Sequence, residues 1–271
     1  MQGKGVKSGI FNYNSFSKNK KGQVTIFIII AVIVVAIISL IFVFWPKVKS
    51  QTSGVENPVA YIQACIYDDL QNSVEKVSLQ GGNLEPEHYY LYQDNKIEYL
   101  CYINTDFEAC TVQQPLLKQH IESEIKIAIE NKVQSCFSDL EASYKDRDYD
   151  TSLTPGTTEV EILPGKIAVT LNHEFTLTKG ETSKFVTFNV VVDKELYDLV
   201  KIATSIITWE SSGQDVDTTV YMDYYPNIKP EKVVRGDGTH VYVLTNRDTE
   251  DKFYFATRGL VQPPGYGSIN A

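Results

Sequence analysis

Two hydrophobic rhythms divide the chain. Residues 24–45, VTIFIIIAVIVVAIISLIFVFW, run for 22 positions without a charge. As a helix such a run covers about 33 Å, against a hydrocarbon core of about 30 Å. It predicts a transmembrane helix over 23–45, closed by Trp45, Pro46 and Lys47 at the interface. Beyond a polar stretch at 46–57, read as a stalk, the period changes. Val59, Ile62, Ile66, Leu70, Val74 and Val77 recur at three and four, which predicts an amphipathic helix over 58–79 that stops at Gln80-Gly81-Gly82. A second helix is predicted from Thr111, with Thr111 and Gln114 at capping-box spacing and Pro115 in the first turn. Its apolar face is Leu117, Ile121, Ile125, Ile129, Val133, Cys136 and Leu140. A third, capped by Asp193, places Leu196, Val200, Ala203 and Ile207 on one face.

Elsewhere the alternation has period two. Strands are predicted at 89–92 and 97–103, and at 159–163 and 166–172 around the hairpin signal Pro164-Gly165. Residues 173–178 prolong the last of these, and Lys179-Gly180 turns the chain toward 184–192. Four further strands fall near 218–225, 232–235, 240–246 and 252–257. The fold class expected is α+β: an N-terminal transmembrane helix, then an extracytoplasmic domain of three helices and antiparallel β-sheet. Its parts are a cytoplasmic leader at 1–22, a helical lobe at 58–150, a β-rich lobe at 151–258 and a loose tail at 259–271.

Charge orients this arrangement. Residues 1–21 hold Lys4, Lys7, Lys18, Lys20 and Lys21 and no acid; taking those five from the chain's 25 basic residues leaves 20 against 34 acidic ones. Lysine-rich flanks stay inside, so the N-terminus is expected in the cytoplasm and the acidic domain outside the cell. The acidity also excludes a nucleic-acid partner, which needs a basic surface. All four cysteines, Cys65, Cys101, Cys110 and Cys136, fall in the segment placed outside, where an even count suggests disulfides. Cys65 lies on the apolar face of the first predicted helix and Cys136 on that of the second. Cys101 and Cys110 flank a turn at Asn104-Thr105-Asp106. The pairing expected is therefore Cys65–Cys136 and Cys101–Cys110, the alternative being four buried thiols that act as small apolar residues.

The junction before the apolar run carries a resemblance. Lys20-Lys21-Gly22-Gln23, a basic pair, a Gly and then Gln opening the hydrophobic segment, resembles the class III signal peptides of archaeal type IV pilins. The resemblance covers about 25 residues. It implies cutting after Gly22 by a membrane prepilin peptidase, with the apolar segment retained, and other pilin-like subunits as partners. The sequence departs from the family where many pilins place a Glu five residues into the mature chain: Phe27 stands there, and the run holds no acid. Cutting is thus better supported than polymerising. The IQAC helix that ends in LQGG is also similar to pilin-like surface proteins of small-genome archaea, for which no activity is implied.

Enzymatic signatures are missing. No GxSxG, HExxH or Walker pattern occurs, and Gly236-x-Gly238 lacks the third glycine of a phosphate cradle. The histidines His88, His120, His173 and His240 are isolated in sequence, and Asp68-Asp69, Asp215 and Asp217 read as exposed acids. No catalytic residue, metal ligand or cofactor is expected. The function expected is a pilin-like surface subunit for adhesion or contact. The alternatives are an anchored binding protein that does not polymerise and, third, a membrane-tethered hydrolase.

Overall fold

The computed structural model describes residues 30–35 and 57–261, in a chain that divides into two units, 1–54 and 55–271. The leader, the stalk and most of the apolar run lie outside the described residues. Of the run, 30–35 is helical with exposed side chains. Among the described residues no helix is long and apolar enough to cross a membrane, which overturns the transmembrane helix of the expected fold class.

In the second unit the amphipathic periods become helices. α1 (Pro58–Leu79) starts where Asn57 accepts a 2.9 Å bond from the Val59 N–H, with Pro58 at the first position. α2 (Leu117–Lys145) lies against it, burying Ile121, Ile125, Ile129 and Val133 against Ile62, Ile66, Leu70 and Val74. Cys65 and Cys136 join the two faces, their Cα atoms 6.0 Å apart. The predicted start at Thr111 is corrected. Thr111–Val112 is a short strand, β3, paired with β2 (Asn95–Tyr102), because the Cys101–Cys110 bridge folds the chain back on itself there.

Three sheets form among the described residues. The largest runs β1 (Tyr89–Tyr92), β2, β12 (Lys252–Arg258), β11 (Thr239–Asn246), β10 (Ile228–Val234), with β3 beside β2. Its β2–β12 pair is parallel. That pairing joins a strand of the predicted helical lobe to one of the predicted β-rich lobe. The other sheets are β4 (Asp150–Thr154), β7 (Glu174–Lys179), β8 (Glu181–Phe185), and β5 (Thr158–Leu163), β6 (Lys166–Leu171), β9 (Phe188–Asp193). The expected continuation past 172 is broken, since β6 and β7 belong to different sheets. The break is held where Gly156 lies so close to Asn172 that a Cβ would meet its carbonyl oxygen. His173 is buried at the crossing, stacked on Phe137.

α3 (Leu196–Ser211) packs its apolar face on β11 and β12. Asp193 does not cap it but ends β9. Instead Asp251, from the turn between β11 and β12, accepts from the Glu195 N–H at 2.9 Å and from Lys194 Nζ at 2.7 Å. The strand predicted near 218–225 is the short helix α4 (Thr219–Tyr224), opened by an Asp217 side chain that accepts from the Thr219 N–H. There Tyr221 Oη meets Ser205 Oγ of α3 at 2.8 Å, which rewards helical spacing over alternation.

Candidate functional site

The most concentrated chemistry lies where α3 ends over β10 and β11. Positions 196, 200, 203 and 207 of α3 form its buried stripe, and the next turn of that stripe is Glu210, 7% exposed. Its carboxylate has three donors. His240 Nδ1 stands 3.1 Å away, the Tyr242 hydroxyl donates a short bond, and Lys232 Nζ is 3.5 Å off. The strand period supplies them: His240 and Tyr242 are two apart on β11 and share a face, and Lys232 on β10 is the register partner of Tyr242. Lys232 also pairs with Asp215. The Tyr242 ring stacks on Phe255 at 4.9 Å, which fixes the hydroxyl.

The electrostatics follow from burial against pairing. Burial favours the neutral form of Glu210, but hydrogen bonds from His240 and Tyr242, with the charges of His240 and Lys232, hold its pKa below the ordinary carboxylate value. Burial first, and then the negative charge of Glu210, push the Tyr242 hydroxyl far up, so it remains a donor. The bond from Lys232 lowers Asp215. Glu210, Asp215 and His240 offer ligand atoms within 4.8 Å of one another, a spacing that suits a cation. Lys232 already neutralises both carboxylates, so the donor set reads as a self-contained clamp rather than a metal centre. A cleft of about 390 Å³ opens beside it, bounded by Arg235, Gly238, Gly259 and Val261.

A second concavity, about 480 Å³, adjoins the first and shares Gln214 and Asp215 with it. It lies between α3 and α4. Ser205 and Trp209, four apart on α3, face Val220, Tyr221 and Tyr224 of α4. Trp209 is 50% exposed and Tyr224 78%, so this groove presents aromatic rings to solvent.

The processing residues Lys20, Lys21, Gly22 and Gln23 lie outside the described residues. The cysteines are joined as Cys65–Cys136 and Cys101–Cys110. His88 packs on Tyr99 and Tyr102, and His120 bonds Asn83. Asp69 pairs with Lys132, and Asp217 serves the start of α4. Of the residues singled out in sequence, the structure brings together His240 and Asp215. Glu210, their centre, went unnoticed there, although an acid at a stripe position of an amphipathic helix is its signal. Compared with protein-family models, curated proteins and solved structures, the chain matches none.

Proposed function

We propose that the chain is a type IV pilin-like subunit, cut after Gly22 by a prepilin peptidase and displayed on the outer side of the cell membrane. There its folded domain serves adhesion or contact. The observation that carries this reading is the oxidised state of the domain downstream of Lys20-Lys21-Gly22-Gln23: the chain's four cysteines form two disulfides. Such bridges persist in oxidising compartments outside the cytoplasm. The Glu210 cluster has its donors and acceptors paired with one another, and no residue of it is assigned to catalysis. The exposed Trp209–Tyr224 groove supplies a surface for contact.

Mass spectrometry of the native N-terminus tests the reading. The mature chain is expected to begin at Gln23, and a Gly22→Val change to retain the first 22 residues. An intact Met1 or Gln2 terminus from cells with active peptidase overturns it. Protease added to intact spheroplasts is expected to digest the folded domain. A second reading, a surface binding protein that does not polymerise, is favoured by Phe27 at the position where many pilins carry Glu. Filaments free of detergent that contain the chain would exclude it.

A further inference from the structure

We propose that the aromatic groove between α3 and α4 is a binding site for a neutral saccharide, a pyranose held by stacking on Trp209 and Tyr224. The two helices spend their side chains differently. α3 commits Leu196, Leu199, Val200, Ile206 and Ile207 to the core, whereas no residue of α4 is buried. The rings of Trp209, Tyr221 and Tyr224 line one groove, with Trp209 50% and Tyr224 78% exposed. Aromatic surface left in water gives the fold little, and several such rings gathered in one concavity mark a site of interaction. The groove's volume, about 480 Å³, falls in the range of small-ligand sites.

The chemistry of the lining selects the ligand class. A pyranose with equatorial hydroxyls carries axial C–H bonds on both faces of its ring. Those faces are apolar and slightly positive, so they lie flat on the negative face of an aromatic ring. The hydroxyls point outward around the rim and need donors and acceptors there. The groove supplies both. The Gln214 amide and the second carboxylate oxygen of Asp217 bond no other described residue, and the Trp209 indole N–H has no acceptor among them. Ser205 and Tyr221 pair their hydroxyls at 2.8 Å, and each keeps a lone pair for a further bond.

Charge points to a neutral ligand. Asp215 is paired with Lys232, Asp217 accepts from the Thr219 N–H and hydroxyl, and Lys201 lies over the Tyr225 ring at 5.5 Å. The carboxylates of Asp215 and Asp217 are matched by the ammonium groups of Lys232 and Lys201, which leaves no net charge to attract an ion. This ligand class rests on the groove's role in contact, and on neither cutting after Gly22 nor a membrane.

Trp209 is the reporter, in a full-length Trp45→Phe chain where it is the single tryptophan. Cellobiose, lactose and N,N′-diacetylchitobiose are the probes. At least one is expected to shift the Trp209 emission to the blue with saturation, at an affinity on the order of millimolar, and to lower acrylamide quenching roughly twofold. Digalacturonate and glucosamine, which are charged, should leave the emission unmoved at the same concentrations. Tyr224→Ala, at a largely exposed position, should weaken the saccharide roughly tenfold, since a central aromatic carries much of the binding energy. Tyr67→Ala, which removes an exposed ring outside the groove, should change nothing. An unchanged thermal transition certifies the fold in each variant. The absence of a saturable shift with all three disaccharides overturns the proposal, as does equal binding by the Tyr224→Ala chain or equal binding of digalacturonate. Protection of Trp209 that rises with protein concentration in the absence of sugar assigns the groove to a second copy and overturns it too. A native terminus at Gln23 with no saccharide bound removes the ligand and leaves surface display standing, so the two readings fail separately.

Discussion

The contact between α1 and α2 and the contact between α3 and the large sheet are fastened by opposite physics. Between α1 and α2 the fastening is covalent and sits among apolar side chains: Cys65 joins Cys136 across 71 positions of chain. Its main action is on the unfolded chain, whose freedom it restricts, and it carries no titrating group. At the end of α3 the fastening is a single buried carboxylate, Glu210, with donors from His240, Tyr242 and Lys232. It acts in the folded state alone and depends on charge. One contact should therefore respond to reductant and the other to acid.

The largest effect is expected from the bridge. Cys65→Ser with Cys136→Ser should cost about 4 kcal/mol in denaturant unfolding, from the loop released, with the acid limb of stability unchanged. A loss that itself varied with pH below 5 would break the comparison.

Next comes Glu210→Ala, which takes the acceptor from the buried Tyr242 hydroxyl and from His240 and should cost about 3 kcal/mol at neutral pH. Because the folded pKa of Glu210 is depressed, its contribution is present above the unfolded value and lost as pH falls through the folded one. The native chain should thus lose stability below about pH 4.5, and the variant should lose less over the same interval. Identical acid limbs in urea titrations of the two chains would refute the clamp.

Glu98 sharpens the contrast with the smallest effect. One of its carboxylate oxygens is buried without a partner among the described residues. Burial raises its pKa to about 7, against backbone N–H bonds from His88 and Glu87 that lower it. Here the sign reverses: the folded state takes up a proton that the unfolded state releases, so this group's contribution falls as pH rises from about 4.5 to 7. Glu98→Gln should gain about 1 kcal/mol at pH 8, after discounting for solvent screening, and nothing at pH 4. Equal gains at both pH values, by thermal unfolding, would show that the side chain's shape and not its charge is responsible.

What could be read from the sequence was what local period decides. α1 was legible end to end, because the stripe from Val59 to Val77 and the glycines that follow specify the same helix, while its Asn57 cap was read as stalk. The cysteine pairing followed from two such faces. What failed depended on distant partners. The capping box at Thr111 lost to pairing with β2, and Asp193 lost the start of α3 to Asp251, from a turn 56 positions on. The alternating residues 218–225 form a helix because Tyr221 finds Ser205. The transmembrane helix was read from the length of one charge-free run, and among the described residues no helix is long and apolar enough to cross a membrane. Glu210 was hidden because its donors come from strands whose register no local pattern announces.

The parallel pairing of β2 with β12 has a consequence for the order of events in folding. Arg258 bonds the Ile103 carbonyl across 155 positions, so the central seam of the large sheet closes only when nearly the whole domain is present. A chain halted anywhere before β12 holds β2 with a bare edge, flanked by the apolar Ile97, Leu100 and Cys101. Such an edge recruits strands from other molecules. Non-local closure is also slow, since the loop entropy is spent before the contact returns it. The large sheet is thus completed only once β12, the last described strand, is present.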